Sequence, residues 1–202
     1  MYTLYEYPPS GNSYKIRLLL HELELEHQAI SVDILKRESR TPEFLKMNPN
    51  GRIPVLELDC GRTLAESNAI MWYLADGTEL LPKGPWDRAK VLEWLSFEQY
   101  NLEPNIAVAR FWLFSLRKTE AELGEKLSEK KGKGLEALNV LEGGLRGRDY
   151  LVGERFSIAD IGLYGYTHVA GEGGFGLDDF PNIQAWIKRI EARPNYIAME
   201  KS

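Results

Sequence analysis

The chain has 202 residues, of which 44% are hydrophobic and 27% are charged, so it can bury a core in one or two domains. With 25 Lys and Arg residues against 30 Asp and Glu residues, the formal net charge of −5 argues against a nucleic-acid-binding surface. No apolar run has the length of a membrane span, and the first residues lack the basic and apolar regions of a signal peptide, so we expect a cytoplasmic protein. Cys60 is the single cysteine, which excludes an intrachain disulfide and a Cys-x-x-Cys redox pair.

The beginning of the chain has the pattern of a small α/β domain. The aromatic, β-rich stretch Tyr2 to Tyr7 predicts a first strand that ends at Pro8 and Pro9. A helix crowded with apolar residues follows, and Asn12 or Ser13 is its expected N-cap. A second strand is expected over residues 29–34, and a short helical turn after it.

The segment from Asn50 to Ile70 predicts a β-hairpin and the start of a helix. Pro54 cannot donate to a sheet, so we expect it in the loop before a strand, with a cis Ile53–Pro54 peptide bond. The turn at 59–62 leads to a second short strand, and Glu66 and Ser67 open the next helix. The resulting order, βαβ then αββα, predicts a thioredoxin-like N-terminal domain with a mixed sheet and helices on both faces.

The second half of the chain predicts an all-α domain. Residues 77–87 are rich in glycine and proline and are the expected linker, so the predicted domains are 1–76 and 88–202. Helices are expected over 88–102, 105–116, 120–145 and 181–191, and Gly132 and Gly134 would allow a loop within the third. Ser157 to Asp160 form a capping box before an apolar helix, so we expect Asp160 to be structural.

Two motifs carry a family resemblance, NPNGRIPVL at 48–56 and LAESNAIMWYL at 64–74. In this order, with a short hairpin between them, they closely resemble the glutathione-binding half of the cytosolic glutathione S-transferases. The capping box is similar to one in the helical second domain of that family, so the resemblance covers essentially the whole chain. Within that family the chain resembles bacterial-type members with a Ser/Asn loop. It implies a homodimer that takes glutathione as co-substrate, needs no metal, and serves in detoxification.

The loop after the first strand is where such transferases hold the residue that stabilises the glutathione thiolate. Ser10 falls at the matching position, and Asn12 is the rival, because an Asn shares or takes over this contact in some bacterial members. Ser13, Tyr5 and Tyr7 are lesser candidates. Little of a thiol with a pKa of about 8.5 is ionised at neutral pH, so a hydroxyl donor and the positive end of a helix would favour the thiolate. The alternative is that these are only loop and cap residues.

The resemblance also implies the remaining glutathione contacts. Ile53, beside Pro54, should pair through its backbone with the cysteinyl residue. The carboxylate of Glu66 should bind the γ-glutamyl ammonium, and Ser67 the γ-glutamyl carboxylate. The glycyl carboxylate should meet a basic side chain, for which the candidates are Arg52, which the motif supports, and Lys36, Arg37 and Arg40.

The electrophile is expected to meet the first helices of the second domain, where Tyr100, Glu103 and Arg110 are the candidate contacts. The expected reaction is addition of the glutathione thiolate to a small hydrophobic electrophile. The open alternatives are a disulfide or peroxide reductase, a glutathione-dependent isomerase, and a non-catalytic interaction protein that keeps the fold.

Overall fold

The computed structural model describes residues 1–200, which group into two compact units. The first unit comprises residues 1–78 and the described residues from 194 onward, and the second comprises residues 79–193. The boundaries expected from the sequence, with a linker at 77–87 and a second domain at 88–202, stay a prediction. The first helix of the second unit begins at Pro85, inside the expected linker.

The first unit is built on one four-stranded mixed sheet. Its strands are β1 (Tyr2–Glu6), β2 (His27–Ser31), β3 (Val55–Glu57) and β4 (Thr63–Ala65), in the order β2-β1-β3-β4. β1 pairs in parallel with β2 and antiparallel with β3, and β3 and β4 form the antiparallel hairpin. The expected mixed sheet and hairpin are therefore confirmed, and β2 lies a few residues earlier than the expected 29–34.

Helices cover both faces of this sheet because successive side chains of a strand alternate between its faces. The helices are α1 (Gly11–Glu22), α2 (Pro42–Met47) and α3 (Ser67–Ala75), with a 3₁₀ turn at Glu38–Arg40 before α2. Phe44 of α2 packs with Val55 on one face. Leu4 and Leu56 are fully buried and one position out of phase with that face, so they point to the opposite side. α1 and α3 pack against each other.

The last described residues belong to the first unit because they bind α1. The hydroxyl of Tyr14 donates to the carbonyl oxygen of Ile197 at 2.7 Å, and the guanidinium of Arg17 lies 3.5 Å from the carboxylate of Glu200. Met199, between these two contacts, is buried. The chain thus contributes to this unit from both of its ends.

The regular elements of the second unit are helices, as expected, and an isolated β-bridge joins Val152 and Arg155. Its helices are α4 (Pro85–Phe97), α5 (Val108–Arg110), α6 (Glu120–Leu123), α7 (Glu125–Leu145), α8 (Ile158–Thr167) and α9 (Pro181–Glu191), with π-helical stretches at Glu98–Ala107 and Phe111–Ser115 and a 3₁₀ turn at Ala170–Gly173. None of the helices formed by residues 1–200 combines the length and the apolar character needed to cross a bilayer.

Two helical features differ from the expectation. The sequence predicted separate helices with a break before residue 105, whereas the chain continues through Pro104 in a π-helical stretch. Proline blocks the regular i→i−4 hydrogen bond, and the wider π register accommodates it. α7 is likewise unbroken at Gly132 and Gly134. Gly134 is buried, and a Cβ atom there would overlap the ring of Phe175, so glycine allows this close approach.

Asp160 caps α8 from inside the core. Its Oδ2 accepts hydrogen bonds from the backbone N–H and the hydroxyl of Ser157, at 3.0 and 3.1 Å. Its Oδ1 accepts from the N–H of Leu151 at 3.0 Å and from Nε1 of Trp186 at 2.9 Å. Burial raises the pKa of the Asp160 carboxyl to about 6, against the lowering by these donors, so the carboxylate predominates at neutral pH. The expected capping box is confirmed, and the carboxylate also fixes a loop and α9.

We predict that Asp160→Ala lowers the free energy of unfolding by about 3–5 kcal/mol, because several buried donors lose their acceptor together. The matched control is Glu122→Ala in the exposed capping box of Thr119 and Glu122, which should cost about 1 kcal/mol or less. Urea unfolding of both variants measures the difference. Equal losses would contradict the structural role of the buried carboxylate.

Candidate functional site

The loop between β1 and α1 ends at Ser10, which is the N-cap of α1. Ser10 has an extended backbone, and its hydroxyl oxygen accepts a hydrogen bond from the N–H of Ser13 at 3.4 Å. The expectation that Asn12 or Ser13 caps this helix is therefore wrong, because the helix starts two or three residues earlier. The hydroxyl proton of Ser10 has no acceptor among the described residues, so it stays available to a ligand.

Two of the lesser candidates have their hydroxyl groups engaged in the fold. Ser13 is fully buried, and its hydroxyl oxygen accepts the N–H of Tyr7 at 3.3 Å. The hydroxyl of Tyr5 donates to the carboxylate of Glu57 at 2.8 Å, and this bond raises the pKa of Tyr5. Tyr7 follows the last residue of β1 and is half-buried.

Asn12 lies in the first turn of α1, and its amide oxygen Oδ1 accepts two hydrogen bonds. One comes from the ammonium of Lys15 at 2.7 Å, and the other from the hydroxyl of Ser67 in α3 at 3.3 Å. Because an ammonium can only donate, the amide oxygen must face Lys15, and the amide nitrogen Nδ2 therefore points elsewhere. Nδ2 has no acceptor among residues 1–200. Lys15 was not predicted as part of the site, although its i, i+3 spacing from Asn12 places both side chains on one face of the helix.

Arg17 holds the loop that leads to Ser10. Its Nη2 donates to the carbonyl oxygen of Pro8 at 2.9 Å, and its Nε lies 3.4 Å from the carboxylate of Glu6. Both side chains are buried. Burial raises the pKa of the Glu6 carboxyl, the positive charge of Arg17 lowers it, and the nearby carboxylate of Glu200 raises it further. The ion pair therefore fixes the backbone just before the candidate site.

The loop before β3 presents a free backbone edge. The Ile53–Pro54 bond is cis, as expected, and Pro54 is buried. Neither the N–H nor the C=O of Ile53 has a hydrogen-bond partner among the described residues, so both can pair with an extended peptide.

Glu66 and Ser67 form the corner between β4 and α3. Glu66 has φ of 69°, a left-handed conformation that is uncommon for a residue other than glycine, and such strain is often found at functional sites. Its exposed carboxylate has no partner among residues 1–200. Ser67 is buried at the first position of α3, where the backbone N–H groups face outward from the helix end.

The candidates for the glycyl carboxylate differ in what they already bind. Lys36 is paired with Asp33 at 3.2 Å, and Arg40 donates to the carbonyl oxygen of Asn50 at 2.8 Å. Arg52 and Arg37 are exposed, and neither has an ion-pair partner in the part of the chain that is described. Arg52 thus keeps the support that the motif gave it.

The candidate electrophile contacts lie in the second unit. Tyr100 is 82% exposed and Glu103 is half-buried on the same π-helical stretch. Arg110 is 3% exposed, and its Nε binds the carboxylate of Glu172 at 2.7 Å, which already balances its charge. Among residues 1–200, no group of three or more His, Cys, Asp or Glu side chains is placed to hold a metal ion.

The first unit therefore combines a thioredoxin-like sheet with an open peptide edge and donor groups at two helix starts, and an all-helical unit follows it in the chain. Comparison with protein-family models identifies the same two-part architecture. The glutathione S-transferase N-terminal domain matches residues 1–76, and the glutathione S-transferase C-terminal domain matches residues 106–194. The chain belongs to the glutathione S-transferase family.

Individual relatives span nearly the whole chain. Glutathione S-transferase 1 of Schizosaccharomyces pombe is 30% identical over 96% of this chain and 92% of its own length. The disulfide-bond oxidoreductase YfcG of Escherichia coli is 32% identical over 93% of this chain and 89% of its own length. Both comparisons are long enough to concern the complete two-part architecture.

Solved structures agree closely with the fold. A crystal structure of a glutathione S-transferase from Pseudomonas fluorescens is 49% identical, with a TM-score of 0.96 over 98% of each chain. A glutathione transferase from Burkholderia graminis, crystallised with two glutathione molecules bound per subunit, is 29% identical with a TM-score of 0.84, over 96% of this chain and 85% of its own. Structural neighbours of this chain thus bind glutathione.

We predict that Arg17→Met lowers the free energy of unfolding by about 3–5 kcal/mol at neutral pH, because it leaves the buried Glu6 carboxylate without its counter-charge. Loss of Arg17 raises the pKa of Glu6 further, so the folded variant takes up a proton more readily than the unfolded chain. Its deficit should therefore shrink as the pH falls from neutral toward the ordinary glutamate value of 4.5. Denaturant unfolding across this pH range measures the difference in unfolding free energy between the variant and the wild type.

The control is Glu200→Ala, which removes an exposed partner of Arg17 and should change the free energy of unfolding by about 0.5 kcal/mol or less. A stability loss of Arg17→Met that grows as the pH falls would contradict the prediction.

Proposed function

We propose that this protein is a glutathione transferase that binds glutathione in its first unit and transfers the thiolate to a small hydrophobic electrophile. The hydroxyl of Ser10 and the amide Nδ2 of Asn12 donate to the sulfur. Ile53 pairs with the cysteinyl backbone beside Pro54. The protein acts in the cytoplasm as a homodimer.

The observation that carries this proposal is the orientation of Asn12. With Oδ1 occupied by Lys15 and Ser67, the side chain can offer only donors to a ligand, and an anion needs donors. Lowering a thiol pKa by two units takes about 2.7 kcal/mol. One hydrogen bond to an anion contributes about 1.5–3 kcal/mol, so Asn12 and Ser10, with the positive end of α1, suffice.

The remaining groups match the ends of the tripeptide. The exposed carboxylate of Glu66 suits the γ-glutamyl ammonium, and the start of α3 at Ser67 suits the γ-glutamyl carboxylate. Arg52 suits the glycyl carboxylate because its guanidinium is exposed and has no ion-pair partner among residues 1–200. For the electrophile we keep Tyr100 and Glu103, while Arg110 is the weakest of the three because Glu172 already binds it.

Disulfide reduction is the second candidate, and the similarity to the disulfide-bond oxidoreductase of Escherichia coli favours it. Cys60, the single cysteine, is exposed in the β3–β4 turn, away from the donor groups. Glutathione would therefore supply both thiols. One thiolate attacks the disulfide and releases a substrate thiolate. A second glutathione thiolate then attacks the mixed disulfide, releasing the second substrate thiol and forming oxidised glutathione. An assay of glutathione oxidation with a small dialkyl disulfide compares this activity with conjugation.

We predict that Ser10→Ala and Asn12→Ala each raise the pKa of the bound glutathione thiol and lower kcat/KM for a generic aryl halide about ten- to a hundredfold. The affinity for glutathione should change little, because most binding groups lie elsewhere. Ultraviolet titration of the bound thiolate and the pH–rate profile measure these effects.

The two variants also separate the two donors. If Asn12→Ala loses activity while the pH–rate profile of Ser10→Ala matches that of the wild type, Asn12 alone donates to the thiolate. Wild-type behaviour of both variants would reject both residues and direct attention to Tyr7. Absence of glutathione binding and of both activities in the wild-type protein would reject the proposed function.

The homodimer generates a further prediction. The family resemblance implies the dimer, and several large apolar side chains, including Leu92 and Tyr100, lie exposed on the single chain. Sedimentation at micromolar concentration should give twice the mass of the chain. A monomer at that concentration would contradict the dimer while leaving the thiolate chemistry intact.

A further inference from the structure

Lys15 is a fully buried cation next to the proposed thiolate donor. Its exposed fraction is 0%, and its ammonium nitrogen lies 2.7 Å from Oδ1 of Asn12, one turn earlier on α1. Moving an ammonium out of water is unfavourable, so lysine is rarely found fully buried without a specific use for its charge or its donors. Lys15 is too deep to touch glutathione itself, and any role in the chemistry must act through a neighbour.

The charge of Lys15 lies at the wrong end of the helix for helix stability. The start of α1 carries the positive end of the helix dipole, where an acidic residue is favourable and a cation is not. Neither α1 nor α3 has an acidic residue in its first turn. The Glu66 carboxylate lies just before α3. A second positive contribution at this place weakens the isolated helix and favours a bound anion.

Lys15 also decides which way the Asn12 amide points. If the amide were turned over, Nδ2 would face the ammonium and two donors would oppose each other. The hydroxyl of Ser67 can either donate or accept, so it adapts to either orientation and selects neither. An ammonium carries no acceptor atom, so Lys15 forces the amide oxygen inward and the two N–H donors of Nδ2 outward.

We propose that Lys15 is a positioning residue, which orients the Asn12 amide so that Nδ2 donates to the glutathione thiolate. This inference rests on the proposed function, and on Asn12 within it. The hydrogen bond from the ammonium also polarises the amide and makes Nδ2 a better donor to an anion. Lys15 acts through Asn12, without contact to the substrate.

A purely structural role makes a different forecast. If Lys15 only held α1 in place, its replacement would change stability and leave the ionisation of the bound thiol as it is. If Lys15 positions Asn12, its replacement raises the pKa of the bound thiol and lowers kcat without a matching rise in KM for glutathione. The same replacement has no further effect in a variant that lacks the Asn12 side chain.

The test compares Lys15→Met with Lys15→Gln, each alone and combined with Asn12→Ala. Methionine removes the donor and the charge at similar volume, while glutamine keeps a donor for Oδ1. Lys46→Met, at an exposed lysine of α2, is the matched control. Ultraviolet titration of bound glutathione gives the thiol pKa, and steady-state kinetics with an aryl halide give kcat and KM. Thermal melting reports folding of each variant.

Lys15→Met is expected to raise the pKa of the bound thiol by about one unit and to lower kcat about tenfold at neutral pH. Lys15→Gln should recover most of this loss, and Lys46→Met should match the wild type. In the Asn12→Ala background, Lys15→Met should cause no further loss. If Lys15→Met does not fold, Lys15→Gln in the two backgrounds provides the same comparison, with a smaller shift that again disappears without Asn12.

An unmoved thiol pKa in folded Lys15→Met, or losses that add fully to those of Asn12→Ala, would overturn the role of Lys15. A folded Lys15→Gln with the full loss of the methionine variant would also count against it. These outcomes would reject the role of Lys15 but not the proposed function, because they are compatible with conjugation by the wild-type protein. A wild-type protein without glutathione binding or turnover rejects the proposed function, and the role of Lys15 with it.

Discussion

The candidate site depends on one amide oxygen. Oδ1 of Asn12 accepts from Lys15 on the same helix and from Ser67 on α3, so it links the starts of the two helices that carry the proposed donors. Both helices pack against each other, and Ile53 lies in the loop before β3. The hydrogen bond between Ser67 and Asn12 therefore connects the γ-glutamyl end of the proposed site with the thiolate end. A substitution at either end is expected to change the geometry of the other.

The parts of the fold that the sequence predicted well are those with a local cause. The proline that begins the hairpin and the flexible turn at 59–62 fix β3 and β4 without reference to distant residues. The box of Ser157 and Asp160 likewise defines the start of α8 within four residues. Glu66 and Ser67 were assigned from a motif, and the structure adds the left-handed backbone of Glu66 that a motif cannot reveal.

The parts that the sequence did not predict depend on contacts between distant segments. Ser10, Asn12 and Ser13 are all residue types that cap helices, and the choice of Ser10 follows from the path that β1 and its loop impose. Pro104 reads as a helix break, yet packing within the second unit keeps the helix continuous in a π register. The burial of Lys15 was not predicted, because it depends on α3 packing beside α1.

The contacts of Tyr14 with Ile197 and of Arg17 with Glu200 mean that the first unit is not one continuous piece of chain. A fragment cut after residue 78 would have the whole sheet and all three helices, but it would leave the surface of α1 that the tail covers open to water. Chimeras made by recombining this chain with a relative must also preserve the contact between α1 and the last described residues. A first half taken from one transferase and a second half from another brings together an α1 and a tail that were never selected as a pair, so crossover points in this architecture are judged by both ends of the chain.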